Sequence, residues 1–202
     1  GAIAVIPIAG LTVEQAAQSV DLPTIVLLFA FMVVSAQMRL GGFYAAVTQH
    51  VAALPLSRGG LLAASIAVAG ALSAVFSNDV VCLAMTPVVA RLCLRRGLNP
   101  LPFLVGLACA ANIGSAATLI GNPQNMLIGS VLKLHFADYV RQALPPVAIS
   151  LLLLWLWLSY GPGARAASII EPVVEPPVDE DEEPPFDSLQ TAKGLIVATC
   201  LM

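Results

Sequence analysis

Two long stretches with almost no charge constrain what this chain can fold into. Residues 59–90 form the first, 32 residues whose single charge is Asp79. Residues 97–132 form the second, 36 residues with no charge. A straight helix rises about 1.5 Å per residue, so these stretches would be about 48 and 54 Å long. The hydrocarbon core of a bilayer is about 30 Å thick, so each stretch must tilt strongly, fold back or break.

The composition indicates a membrane protein. Hydrophobic residues make up 58% of the 202 residues and charged residues 10%, whereas a soluble domain carries about 25% charged residues. Too few polar side chains remain to cover a soluble globule, which argues against a soluble enzyme, a nucleic-acid-binding module and a disordered tail. We expect an all-α, multi-pass protein of a cell membrane, of the bacterial inner-membrane type. Its expected partner is the lipid bilayer, with no nucleic acid, no cofactor and no enzymatic activity.

Shorter uncharged windows predict further helices. Residues 22–38 give 17 uncharged residues and residues 142–164 give 23, which suits membrane spans of about 20 residues. Residues 43–56 predict a shorter, weaker helix. The chain begins at Gly1 without Met, and its last apolar run, from Gly194, stops after nine residues. We therefore expect a fragment of a longer membrane protein.

The first long stretch is expected to form a re-entrant hairpin over residues 59–91, with its polar tip at Ser77, Asn78 and Asp79. Basic residues flank both ends, and basic residues favour the cytoplasmic side of a membrane. Both ends are therefore expected in the cytoplasm. The flanking residues are Arg58, Arg91, Arg95 and Arg96.

The same bias, followed along the chain, assigns the other basic residues to the two sides of the membrane. It places Arg165 and Lys193 inside. It places Arg39, Lys133 and Arg141 outside. Six basic residues inside against three outside is the expected direction.

The second long stretch is expected to be a broken helix over residues 100–134. Asn, Gly and Pro interrupt it, and these residues end helices and free backbone groups. Non-helical backbone at membrane depth is tolerated only inside protein or along a cavity. The candidate binding side chains here are Asn112, Ser115, Thr118, Asn122 and Asn125.

A second interpretation of this stretch is close helix packing through small residues. It accounts for the glycines and alanines but not for three Asn and one Pro in 14 residues. The stripe of small residues comprises Gly106, Ala110, Gly114, Ala117 and Gly121.

Asp79 is the strongest candidate for chemistry. A charge at membrane depth costs about 2.5–3.5 kcal/mol on insertion scales, so such a residue usually faces a cavity, an ion or a partner. Ser77 and Asn78 add hydroxyl and amide oxygens that suit Na⁺. The alternative is a tip that reaches water at the membrane surface. Apart from this candidate Na⁺ site, no cluster of His, Cys or acidic residues in the sequence has the spacing of a metal site.

Residues 162–187 are expected to form an acidic, proline-rich linker. Eight of the twelve acidic residues lie between 171 and 187. A segment with so little apolar surface to bury stays solvated and poorly ordered.

Two motifs in these segments resemble the ion transporter superfamily. The first is Ser77-Asn78-Asp79, followed by Val80-Val81 and Thr86-Pro87. The second is the run from Ala111 to Asn125, ANIGSAATLIGNPQN. The two motifs occur in the same order, and at the same distance from each other, as in that superfamily. The superfamily includes divalent-anion/sodium symporters, citrate transporters, arsenite permeases and a class of sodium/proton antiporters. The resemblance covers about residues 1–200.

The resemblance implies two inverted repeats, each with a re-entrant hairpin and a discontinuous helix that meet at mid-membrane. This chain would hold one repeat over residues 1–161, the cytoplasmic linker 162–187, and the start of the second repeat at 188–202. The missing C-terminal repeat and a second copy in a homodimer are implied partners.

By motif, the residues that would line the first cation and small-anion substrate site are Ser77, Asn78, Asn112, Gly114 and Asn125; the other candidates come from the residue types at the two breaks. Na⁺ would be held at Ser77, Asn78, Asp79 and Asn112. The dicarboxylate symporters have Thr where this chain has Asp79, and the arsenite permeases more often have Asn-Asp, so a proton is as suitable a coupling ion as Na⁺. The complete set of residues for the cation and the substrate is Ser77, Asn78, Asp79, Asn112, Gly114, Ser115, Thr118, Asn122 and Asn125.

Two classes of function follow. The first is a secondary active transporter of an inorganic or carboxylate anion, coupled to Na⁺ or H⁺, with extrusion of arsenite or of sodium against protons as the variant within that class. The second is a non-transport membrane assembly module whose broken helices only pack. Polar residues at both breaks favour the transporter.

Overall fold

The described part of the chain consists of helices joined by short non-helical segments. A computed structural model describes residues 12–18, 20–161 and 187–201, and it contains helices and no strand in these ranges. This confirms the all-α expectation. The expectations for residues 1–11 and for most of the linker, 162–186, lie outside the described residues. The helices are α1 Val13–Gln18, α2 Leu22–Leu40, α3 Phe43–Ala53, α4 Arg58–Val75, α5 Asn78–Arg95, α6 Leu101–Ser115, α7 Pro123–Leu132, α8 Phe136–Tyr160 and α9 Ser188–Leu201.

The outer helices expose apolar side chains. Helix α8 has 25 residues, and Leu158 is its one buried residue. Phe29 of α2 and Trp157 of α8 are 67% and 59% exposed. Among the described residues, α4 and α8 are long and apolar enough to cross a membrane. A surface of this kind is suited to lipid and poorly suited to water.

Helix α8 begins earlier than the charge pattern predicted. The predicted span began at Gln142, but the helix already starts at Phe136. Asp138 and Arg141 lie in the first turns of the helix with exposed side chains. Charged side chains that point away from the packed face do not end a helix, so gaps between charges give only approximate helix boundaries.

Helices α4 and α5 fold back on each other. Each has 18 residues, or about 27 Å, and Phe76 and Ser77 separate them. The Arg96 guanidinium, just after α5, donates hydrogen bonds to the carbonyl oxygens of Leu54 at 3.0 Å and Leu56 at 3.4 Å, just before α4. The two ends of this segment therefore lie side by side. The second arm runs to Arg95, beyond the predicted end at residue 91, because a charged side chain such as that of Arg91 does not end a helix.

Helix α4 packs closely on α6 through glycine. A Cβ atom on Gly114 would overlap the backbone of Gly70. The small-residue stripe of the second stretch is buried at all of its positions, so its members do serve helix packing. Their small size lets two backbones approach, which brings the broken helix against the α4–α5 pair.

Helix α9 lies antiparallel to α2. The Asp187 N–H donates to the Gly41 carbonyl oxygen at 3.1 Å, and Gly194 packs against the Met38 side chain. Arg39 and Lys193, each next to one of these contacts, therefore lie at the same end of the helix pair. The prediction that they occupy opposite sides of the membrane is wrong. The charge bias is a sum over many residues near the spans, so it does not fix the position of a single one.

Candidate functional site

Two asparagines join the two helix breaks. The Asn78 side-chain amide donates to the Asn112 side-chain oxygen at 2.8 Å. Asn78 is the first residue of α5, and Asn112 lies in the last turn of α6. The Asn112 amide also donates to the Ala108 carbonyl oxygen at 3.2 Å, which holds the side chain along its own helix. The two polar segments that the sequence singled out are thus neighbours in space.

A second connection ties the other side of the break to α4. The Thr118 hydroxyl donates to the carbonyl oxygen of Ala74, in the last turn of α4. The same hydroxyl accepts from the Gly121 N–H at 3.1 Å. Residues 116–122 leave the helical conformation between α6 and α7, and this hydroxyl satisfies backbone groups that the break frees.

The later asparagines also bind freed backbone groups. The Asn125 amide donates to the Thr118 carbonyl oxygen at 2.9 Å and to the Ser115 carbonyl oxygen at 3.4 Å. The Asn122 side chain caps α7 by accepting from the Asn125 N–H at 2.8 Å. Its amide reaches the Ser115 hydroxyl at 3.3 Å. These side chains hold the break open in a defined shape, as capping residues do at helix ends.

Ser115 and Gly114 occupy the interior of this arrangement. The buried Ser115 hydroxyl donates to the Asn112 carbonyl oxygen at 2.8 Å. Gly114 has no side chain to offer a ligand, and its place against Gly70 requires that absence. A Cβ on Gly121 would likewise overlap the Ser115 carbonyl oxygen. The two glycines therefore set the shape of the site.

Asp79 lies on an open face of α5. Its carboxylate is exposed, and it lines a cleft of about 560 Å³ together with Cys82, Leu83, Thr86 and Pro87. Among the described residues it has no hydrogen-bond or ion-pair partner. Ser77, the N-cap residue of α5, makes no side-chain capping bond. The hydroxyl and the carboxylate at the start of α5 are thus available to a ligand.

Two aromatic residues of α8 that were not among the predicted site residues also hold backbone groups. The Tyr139 hydroxyl donates to the Ala116 carbonyl oxygen at 3.2 Å. The Trp155 indole donates to the Gly59 carbonyl oxygen at 2.9 Å. Both bonds cross from α8 to the inner helices and satisfy backbone groups near helix ends. A polar aromatic residue in an apolar helix was the available signal, because such a side chain needs a partner when it is partly buried.

The side chains that could coordinate an ion at this site offer hard oxygen atoms. Within the described part of the chain, no cluster of three or more His, Cys, Asp or Glu side chains could hold a metal ion. The oxygens of Asn78, Asn112, Ser77 and Asp79 are the donor type that Na⁺ accepts. The backbone N–H groups at the start of α5 carry partial positive charge, which favours an anion nearby.

Comparison with known proteins shows similarity to transporters. A sequence profile of the citrate transporter family matches residues 1–199. The silicon efflux transporter LSI3 of Oryza sativa subsp. japonica is 38% identical over 149 residues, which are 72% of this chain and 30% of that protein.

Two further relatives are a magnetosome protein and a second transporter. The magnetosome protein MamN of Magnetospirillum gryphiswaldense is 31% identical over 153 residues, 75% of this chain and 35% of that protein. The putative transporter arsB of Dictyostelium discoideum is 31% identical over 118 residues, 58% of this chain and 21% of that protein. The chain spans about a third of the length of the first relatives it matches.

Proposed function

This chain belongs to the citrate transporter family, and on that premise we propose that the complete protein is a secondary active transporter of an inorganic or carboxylate anion, coupled to Na⁺ or H⁺. The family is one of transporters and not of enzymes, and the relative LSI3 is a transporter too, as the sequence predicted. Membership also makes the chain a membrane protein.

The hydrogen bond between Asn78 and Asn112 carries the proposal. It brings the two helix breaks together, and the Asn112 side chain lies at an exposed surface of the described helices. Asn112 lies eleven residues after Leu101, or about 17 Å along α6, which is roughly half of a 30 Å hydrocarbon core. Paired helix breaks at that depth are the arrangement in which transporters bind ions and substrates.

We assign the α4–α5 pair to a re-entrant hairpin and the α6–α7 pair to a discontinuous helix, both within one inverted repeat. The Arg96 bonds to Leu54 and Leu56 support the hairpin, because they hold its two ends at one level. The Thr118 and Asn125 bonds support the discontinuous helix, because they satisfy the break internally. The second repeat would complete the site from the open face of α5.

Within this site we assign the cation to oxygens and the anion to helix termini. Ser77, Asn78, Asp79 and Asn112 would coordinate Na⁺, or Asp79 would carry a proton. Gly114 and Ser115 would shape the floor of the site, and the N–H groups at the start of α5 would face the anion. The remaining residues, Thr118, Asn122 and Asn125, would hold the break in position.

Extrusion of arsenite, or of sodium against protons, is the second candidate. The observation that favours it is the exposed Asp79 carboxylate beside Asn78, since a carboxylate attracts a cation, accepts hydrogen bonds from a neutral hydroxyl-bearing cargo, and repels an anion. A non-transport membrane assembly module is the third candidate function. It predicts that polar substitutions at the breaks change stability alone.

Transport by the full-length protein in proteoliposomes tests the proposal. Labelled citrate, phosphate, sulfate and arsenite would be offered with an imposed Na⁺ gradient, an imposed pH gradient, or neither. Asn112→Ser should lower the gradient-driven uptake of one anion by at least tenfold. Asn99→Ser is the matched control, because Asn99 caps the start of α6 and Ser also caps.

Three outcomes decide between the candidates. Uptake of an anion that follows one gradient and fails in Asn112→Ser supports the proposal. Movement of arsenite or Na⁺ only, sensitive to the same substitution, supports extrusion. If the folded parent protein shows no gradient-driven movement of any of these solutes, the result supports the assembly module.

We also propose a multi-pass location in a bacterial-type inner membrane and a homodimeric full-length protein.

A further inference from the structure

A cleft with one basic residue opens between α2 and α9, on the outside of the helix bundle. Its volume is about 400 Å³. Apolar side chains make most of its wall, and two polar side chains reach it. The lining residues are Val33, Val34 and Gln37 from α2 and Lys193, Gly194 and Val197 from α9.

The two helices that form the cleft are held together at one end. The Asp187 N–H bonds the Gly41 carbonyl oxygen at 3.1 Å. Gly194 then brings α9 onto the Met38 side chain. Beyond this contact the helices expose Val33 and Val197, each 45% exposed. The cleft therefore has a closed polar end and an open apolar side.

Positive charge gathers at the closed end. The Lys193 ammonium and the Arg39 guanidinium are exposed, and neither has a hydrogen-bond or ion-pair partner among the described residues. The Asp187 carboxylate is the nearby acid, and one of its oxygens is engaged in capping α9 through the Leu189 N–H at 2.9 Å. The Gln37 amide adds a neutral donor beside Lys193.

From this geometry we infer that the cleft binds an anionic phospholipid. The phosphate would lie between Lys193 and Gln37, and an acyl chain would run along Val33 and Val197. Basic pockets between membrane helices bind anionic headgroups in this way, because each Lys or Arg near the surface adds electrostatic attraction. The site is separate from the Asn78–Asn112 pair and does not depend on the proposed transport activity.

The apolar wall selects a lipid over a soluble anion. A free phosphate would gain only the contacts to Lys193 and Gln37, in water, where exposed ion pairs contribute little. A phospholipid also covers the exposed valines, which are otherwise continuous with the apolar outer face of α2. Burial of apolar surface scales with its area, and a soluble anion has no such surface to bury.

Native mass spectrometry of the full-length protein would test the site. The protein would be purified in detergent and incubated with equal amounts of phosphatidylglycerol and phosphatidylcholine. The parent protein should retain phosphatidylglycerol preferentially. Lys193→Gln should reduce that retention at least fivefold, and Lys193→Arg should preserve it because the charge remains.

Lys133→Gln is the matched control, since Lys133 is an exposed lysine at the end of α7 and away from the cleft. It should retain phosphatidylglycerol like the parent. Gln37→Leu is a second variant on the other helix and should reduce retention by a smaller factor. It keeps the test decisive if Lys193→Gln lowers the yield of folded protein.

Three results would overturn the inference. The first is equal retention of the two lipids by the parent protein. The second is unchanged retention in Lys193→Gln and Gln37→Leu, which is the result expected if another part of the full-length chain fills the cleft. The third is complete displacement of the lipid by millimolar glycerol phosphate, which would assign the site to a soluble phosphate.

Discussion

The side-chain amide of Asn78 donates a 2.8 Å hydrogen bond to the side-chain oxygen of Asn112, which is 34 residues further along the chain. The bond links the start of α5 to the last turn of α6. It leaves Asp79, the next residue, on the open face of the same helix. An exposed carboxylate without a partner in the described part of the chain, beside a hydrogen-bonded pair of amides, is an arrangement that a cation can complete.

Asp79→Asn should remove the cation or pH dependence of transport and leave the fold intact. The amide keeps the shape of the carboxylate but carries no charge and does not titrate. The measurement is uptake by full-length protein in vesicles across a range of Na⁺ concentrations and pH values. Uptake identical to that of the parent under every condition would remove Asp79 from the site. Asp138→Asn, at the exposed start of α8, is the control.

Gly114→Ala should destabilise the protein. The added Cβ would overlap the backbone of Gly70, and overpacking of this kind costs about 1–3 kcal/mol or more when backbone must shift. Thermal unfolding in detergent measures it. Gly59→Ala is the control, because nothing lies within 4 Å of a Cβ there. Its unfolding temperature should stay the same or rise, and an equal loss in both variants would contradict the close-packing account.

Thr118→Val should loosen the connection between the break and α4. Valine keeps the shape but removes the hydroxyl, so the Ala74 carbonyl oxygen and the Gly121 N–H both lose their partner. Leaving buried backbone groups unsatisfied costs about 1–3 kcal/mol. Thr86→Val, which loses only a bond within its own helix, should be close to neutral in the same unfolding assay. A larger loss of stability in Thr86→Val than in Thr118→Val would count against the connection between the break and α4.

Cys82 should react with a maleimide at a rate that substrate or coupling ion lowers. Its side chain lines the same cleft as Asp79. Single-cysteine variants of the full-length protein would be labelled with and without the candidate ligands. Cys93 is fully buried and should stay unlabelled in both conditions. Labelling of Cys82 that no ligand slows would place the ligand away from this cleft.

Arg58→Cys and Arg95→Cys should be labelled from the same side of the membrane. Arg96 holds the start of α4 and the end of α5 together through Leu54 and Leu56. Membrane-impermeant reagents added to right-side-out and inside-out vesicles would report the side, and the positive-inside bias predicts the cytoplasm. Labelling of the two positions from opposite sides would contradict the hairpin.

Several features of the fold could be predicted from local sequence. The excess length of the two uncharged stretches, together with Ser77-Asn78-Asp79 and the Asn, Gly and Pro residues after Asn112, located both helix breaks. Exact helix ends could not be located in this way. Arg91 and Arg141 are charged yet lie within helices, since a helix tolerates charge wherever a side chain can reach outward.

The functions of the individual polar residues required the three-dimensional structure. Asn122 and Asn125 looked like ligand donors in the sequence, but they bind the backbone of residues 115–118. Composition does not distinguish an amide that satisfies a broken helix from one that faces a ligand. That distinction depends on which backbone groups the break leaves unpaired, and these are defined only once the helices are packed.

By itself, the sequence determined a helical membrane protein with two interrupted stretches and one acidic residue, Asp79, at the first interruption. These properties follow from residue type and spacing along the chain, which set hydrophobicity and the points where a helix can break. Only the tertiary structure decided that Asn78 meets Asn112, that Gly114 meets Gly70, and that α9 lies along α2 with Lys193 at the end where Arg39 lies. Such contacts join residues far apart in sequence and depend on the close fit of small side chains between helices, which no local pattern encodes.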